Sequence, residues 1–147
     1  MVTPFPSNRS NPHGQDPAHH VPEGALADEV RRLIFGFEEK YLSRRPRRIG
    51  VYLLGDVLVV RVHGILSPAE RQLASSPDGR MLMRQLLLKE MEELRDVLSF
   101  ELQSVAGVAV LGVTVDLDPE NDERIVVCRF DAPLAAEASY RDERRDA

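Results

Sequence analysis

The chain has 147 residues, 43% of them hydrophobic, one cysteine and a formal net charge of -5 with a pI near 5.4. That length fills one respectable core and leaves little for a second domain. The acidic balance disfavours nucleic acid as a partner for the surface as a whole, and Cys128, with no second cysteine to pair with, points to a reducing compartment, the cytoplasm being the natural expectation, or to a fold that needs no covalent staple.

Residues 1–23 hold five of the ten prolines and almost no aliphatic side chains, a composition that predicts a disordered tail because it cannot offset the cost of ordering its backbone. His13, His19 and His20 are irregularly spaced there, which reads as solvated tail and not as a preorganised metal site. The first residues also lack the charged start and apolar run of a secretory signal. The longest uncharged stretch, Leu102 to Val115, falls short of the roughly 18 apolar residues of a spanning helix.

From Ala25 to Leu42, apolar residues at Leu26, Val30, Leu33, Ile34, Phe37 and Tyr41 recur in steps of three and four and predict an amphipathic helix. Its polar side is read as Asp28, Glu29, Arg31, Arg32, Glu38, Glu39 and Lys40. Pro46 stops the helix inside a loop that crowds Arg44, Arg45, Arg47 and Arg48 together. Guanidinium forks match phosphate oxygens, so this loop is the candidate anion-binding site. The competing reading is a solvated connection whose charges complement a helix C-terminus.

Two β-rich runs, Ile49 to Leu54 and Val57 to Val62, flank Gly55-Asp56, the signature of a two-residue hairpin turn. After Gly64, Ser67-Pro68-Ala69-Glu70 supplies an N-cap, a first-turn proline and the glutamate of a capping box. Ser75-Ser76-Pro77-Asp78-Gly79 interrupts that helix and starts another, which should run from Asp78 to about Val105 and end at Gly107. At about 1.5 Å per residue it outreaches a strand, so part of its stripe of Leu82, Leu86, Leu87, Met91, Leu94, Leu98, Leu102 and Val105 is expected to overhang the sheet. The candidate dimer or partner face is therefore Leu87, Met91, Leu94 and Leu98, and a homodimer is expected.

A second strand pair, Val108 to Val115 and Arg124 to Phe130, brackets the acidic segment Asp116 to Glu123. That segment alternates Asp116, Asp118 and Glu120 as calcium loops do. It lacks the glycine and the terminal glutamate such loops require, and reads as a hairpin turn. Ala135 to Ala147 is charged and reads as a fraying tail. Phosphate-loop, paired Cys/His and nucleophile-elbow motifs are all missing, Cys128 sits mid-strand in apolar company, and His63 is a lone strand-end histidine. No catalytic residue, cofactor or metal site is assigned, and no enzyme is expected.

The hairpin Val51 to Val62, the run Gly64-Ile65-Leu66-Ser67-Pro68-Ala69-Glu70 with Gln72-Leu73-Ala74, and Gly79-Arg80 opening a long helix resemble the small bacterial MpsC-like family. The likeness spans about Leu26 to Asp131. One departure is Ser43-Arg44-Arg45-Pro46, where members tend to have Gly-Lys-Gly-Pro. The resemblance implies a soluble partner of membrane proteins that generate membrane potential or take up dissolved inorganic carbon, and it carries no catalytic residues over.

The expected architecture is a single α+β domain over 24–134. Two antiparallel hairpins form one four-stranded sheet, and an N-terminal amphipathic helix and a broken long helix cover mainly one face, in the order α-β-β-α-α-β-β. The expected function is a non-catalytic accessory subunit of a membrane-potential-generating or inorganic-carbon/cation transport system, cytoplasmic and peripheral to the membrane through a protein partner. The alternative is a cytosolic homodimeric module that binds nucleic acid or a phosphate ligand through Arg44 to Arg48.

Overall fold

The computed structural model describes residues 17–134, with side chains from Gly24 onward. Of the expected tails, residues 1–16 and 135–147 lie outside the described residues, as do His13 and the side chains of His19 and His20. Helix α1, Pro17–Leu42, starts earlier than the predicted Ala25, with Pro17 at a first-turn position where its missing N–H is no loss. It buries Leu26, Val30, Ile34 and Phe37.

Strands β1, Arg48–Leu54, and β2, Val57–His63, form the predicted hairpin, with Gly55 at φ +65 in its turn. Strands β3, Val110–Asp118, and β4, Glu123–Phe130, form the second. Here β3 runs on to Asp118, and the connection shrinks to the 3₁₀ turn Pro119–Asn121 plus Asp122, so part of the expected acidic turn is strand. The hairpins join through β2 and β4, giving one antiparallel sheet in the order β1-β2-β4-β3.

Between the hairpins lie the short helix α2, Pro68–Leu73, and the long helix α3, Pro77–Ala106. Ser67 and Glu70 close the predicted capping box, and the Ser76 hydroxyl accepts the Gly79 N–H at 3.1 Å. Gly79 must be glycine for a steric reason. A Cβ there would lie 1.7 Å from the Leu73 carbonyl oxygen, so its absence lets α3 start hard against the end of α2. Gly107 ends α3 in the left-handed conformation at φ +73.

Both long helices lie on one side of the sheet. Leu58, Val60 and Val62 of β2 alternate inward to meet Val126, Cys128 and Phe130 of β4 and Met83, Leu87, Met91, Leu98 and Leu102 of α3. This packing corrects the partner face expected on α3. Leu87, Met91 and Leu98 are buried in the chain's own core and Leu94 is packed against it, because the sheet and α1 together take up the inner stripe of the helix. The apolar side chains of α3 that remain free are Met81, Leu82, Leu86, Leu88 and Phe100.

Candidate functional site

The arginine segment begins where α1 closes. Ser43 turns into the left-handed region at φ +55 and the Arg44 N–H reaches back to the Glu38 carbonyl at 3.0 Å. This helix ending satisfies an otherwise free carbonyl and reverses the chain. The reversal sends Arg44 inward. Its guanidinium meets Glu70 at 2.7 Å and Glu90 at 3.2 Å and donates to the Ile65 carbonyl at 3.2 Å, so it clamps the end of α1 to the first turn of α2 and the middle of α3. Burial opposes the charge on Arg44, but the Glu70 and Glu90 carboxylates outweigh it and raise its pKa. Burial likewise works against charge on Glu70, yet the Arg44 guanidinium and the Ser67 cap hold its carboxyl below the ordinary value.

Behind this clamp lies a buried pair that joins α1 to the sheet. Arg124 of β4 donates to Glu38, with the two side chains 0% and 2% exposed. Burial raises the pKa of Glu38 despite the attraction of Arg124 and Arg44, and burial lowers that of Arg124. Glu38, read from helix periodicity as a solvent-side residue, is thus an interior one. A signal for it existed: Arg124 alternates in register with inward Val126 and Cys128, and an inward arginine demands an acid.

The other arginines go elsewhere. Arg45 is exposed and faces Glu39 at 3.5 Å. Arg47 is fixed by its N–H to the His63 carbonyl at 2.8 Å, and its side chain lies over Gly64, where a Cβ would come within 2.8 Å of it. Arg47 and Arg48 line a cleft of about 390 Å³ together with Arg31 and Arg32 of α1, over Phe35, Pro46 and Ile49. Within the cleft Arg31 is held by Asp28 at 2.6 Å and by the Ile49 carbonyl at 3.3 Å. Among the described residues no carboxylate lies within ion-pair distance of Arg32, Arg47 or Arg48. The structure therefore divides the predicted cluster: Arg44 is structural, Arg45 is paired, and Arg47 and Arg48 join two arginines from a segment that sequence spacing did not connect with them. The signal that could have found the pair was Arg31-Arg32 one turn from exposed Phe35, facing the strand that follows the loop. Such a cleft suits an anion with a flat apolar portion, since guanidinium groups supply forked donors and Phe35 a surface to lie on.

A family model described as the Na+-translocating membrane potential-generating system (MpsC) matches residues 23–132. The chain belongs to the MpsC family. Among curated relatives of this MpsC chain is the uncharacterized protein YbcI of Bacillus subtilis (strain 168), 28% identical over 112 residues that cover 74% of this chain and 87% of YbcI. No solved structure matches it. The match runs from within α1 through β4 and so takes in the Arg44 clamp, the Glu38–Arg124 pair and the arginine cleft alike.

The remaining chemistry of this MpsC member is occupied by structure. Asp122 Oδ1 accepts the N–H groups of Ile65 at 2.8 Å and Leu66 at 3.0 Å, and Asp118 accepts from Asn121 Nδ2 at 2.7 Å, so these acids of the turn pin backbone and side chain. Cys128 is fully buried and burial pushes its thiol up to about 11, the reverse of an activated nucleophile. His63 Nε2 lies 3.5 Å from Glu123, which also holds Arg61 at 2.6 Å. No described helix is long and apolar enough to cross a membrane.

Proposed function

We propose that this chain is a non-catalytic accessory or regulatory subunit of a membrane-potential-generating or inorganic-carbon/cation transport system. On this reading it is cytoplasmic, acts as a homodimer and reaches the membrane through an integral protein partner. The observation that carries the reading is the family match over residues 23–132, taken with the absence of a spanning helix among the described residues. With no spanning helix among the described residues, an integral protein partner supplies the link to the membrane on this reading. The free apolar side chains of α3, Met81, Leu82 and Leu86, supply contact area for such a partner.

The test is co-purification of the tagged full chain from gently solubilised native membranes, beside a Leu82→Asp/Leu86→Asp variant that changes exposed side chains and whose folding is verified by thermal unfolding. Recovery of an integral transport protein, lost in the variant, is the expected result. Recovery of soluble protein or nucleic acid alone would overturn the reading.

The four-arginine cleft favours a second reading, in which the chain binds a phosphate ligand or nucleic acid at Arg31, Arg32, Arg47 and Arg48. Polyanion binding of this kind should weaken steeply as salt rises and vanish in an Arg32→Ala/Arg47→Ala variant. Absence of binding at low salt would remove it.

A further inference from the structure

An antiparallel sheet with one solvated face normally alternates apolar inward and polar outward. The central strands here do not. The outward positions of β2 and β4 include Val57, Val59, Ile125 and Val127, so both strands are aliphatic on both sides, the pattern of strands covered twice. Tyr52 and Leu54 extend that surface onto β1 at 49% and 61% exposure.

The strand register orders this open face in cross-strand rows. The end row reads Arg48, His63, Glu123, Asp118 from β1 to β3, and a middle row reads Tyr52, Val59, Val127, Thr114. The β1–β2 half carries Arg48, Arg61 and His63, and the β4–β3 half carries Glu123, Asp116 and Asp118. Arg129, the one cation of the second half, sits at the opposite end and lies along Gly112. Arg61 and His63 already share Glu123, whereas Arg48 and Asp118 stand at opposite corners of one row with no ion-pair partner among the described residues.

We infer that the open face is the interface with a second copy of this chain, stacked about a two-fold axis that runs parallel to the strands between β2 and β4. This deepens the homodimer of the proposed function by naming its face and axis. Rotation about that axis lays each row on itself in reverse. Arg48 then faces the second copy's Asp118, His63 its Glu123, and Val59 its Val127 at the centre, at the roughly 10 Å spacing of a β-sandwich. The other in-plane axis, perpendicular to the strands, would set Arg48 over Leu54 and Asp118 over Gly112. It would pair Glu123 with the second copy's Arg129 but set Arg61 and His63 over Val59 and Val57 as well, leaving more charge unpaired than the first axis, in which Arg61, Arg129 and Asp116 face Ile125, Val57 and Gly50. Charge complementarity thus selects both the occupant and its orientation.

The test uses the full chain carrying Tyr52→Cys and Thr114→Cys together. Within one copy these positions lie three strands apart, roughly 14 Å, farther than the roughly 10 Å between facing positions of stacked sheets. Across the interface they face each other. At the roughly 10 Å spacing of packed sheets the facing Cα atoms are too far apart for a direct disulfide, so the probe is a short bismaleimide, which should give a covalent dimer from the double variant and none from either single variant. Sedimentation of the native chain should show a dimer that Arg48→Asp and Asp118→Arg each weaken at least about tenfold, and that the two changes together restore. A monomer at micromolar concentration overturns the homodimer and this interface together. A dimer that neither cross-links nor responds to the charge reversals overturns the interface and leaves the homodimer standing. Both positions of the charge swap are exposed, and thermal unfolding of each variant verifies that it folds.

Discussion

The two faces of the sheet differ less in what they are made of than in what lies on them. On the covered face Val60, Val62 and Val126 are at most 1% exposed, and among them a guanidinium and a carboxylate are sealed from water. On the open face Val59 and Val127, of the same residue type and in the same strands, are only half-buried, while charges ring them. Residue hydrophobicity therefore did not choose the buried side. The helices did, and α1 is tied to that side by the Glu38–Arg124 pair, which closes only when the inward register of β4 meets the inner stripe of α1. A one-residue slip of β4 would carry Arg124 outward and leave Glu38 alone in the core.

Breaking that pair should have the largest effect. Arg124→Ala leaves the Glu38 carboxylate buried without its partner, and a loss of about 3–5 kcal/mol is expected in denaturant unfolding. The joint replacement Glu38→Leu/Arg124→Met should cost far less or even stabilise, because Glu38 Oε1 and Arg124 Nε and Nη2 already have no hydrogen-bond partner among the described residues. Equal losses in the single and double variants would mean that the pair contributes packing volume and not charge.

A pair of leucines sharpens the comparison between faces. Leu58 on β2 is 2% exposed on the covered side, and Leu54 on β1 is 61% exposed on the open side. Leu58→Ala should cost about 2–5 kcal/mol, the transfer energy of the lost methyls plus the cavity left behind. Leu54→Ala should change the stability of the single chain by no more than about 0.5 kcal/mol when unfolding is extrapolated to low protein concentration. A large loss at Leu54 that persisted under dilution would show that the chain itself covers the open face.

What the sequence disclosed and what it concealed follow from the range of the interactions. The turn at Gly55-Asp56, the caps at Ser67 and Ser76 and the stop at Gly107 are local, each set by a few neighbouring backbone groups, and each stands where the residues predict it. The four-stranded sheet follows from those turns. Arg44 looked like one of four equivalent arginines because its partners Glu70 and Glu90 come 26 and 46 residues later in the chain. The cleft stayed hidden for the same reason, since Arg31 and Arg32 meet Arg47 and Arg48 only once α1 lies along β1. On α3 the apolar stripe is broad enough to serve two surfaces. Nothing in its spacing told Leu87, which the sheet covers, from Leu86, which it does not.

The smallest expected effect concerns Glu70, which serves two elements at once. One carboxylate oxygen accepts the Ser67 N–H at 2.9 Å to complete the capping box and also meets Arg44 at 2.7 Å. Removing the cap's other half with Ser67→Ala should cost about 1 kcal/mol. The pH dependence separates the two roles. With its pKa held below 4.5, Glu70 contributes stability that is fully present above that value and is lost as pH falls through the lower, folded value. Glu38, its pKa raised by burial, has the opposite sign: its contribution is present below 4.5 and is lost as pH rises through the raised value. Unfolding midpoints measured from pH 3 to 7 should therefore show an acid limb that Glu70→Gln flattens and Ser67→Ala leaves in place, because the Arg44 contact survives the loss of the hydroxyl. An acid limb unchanged in Glu70→Gln would assign it to other carboxylates and reduce the Arg44 clamp to a geometric contact.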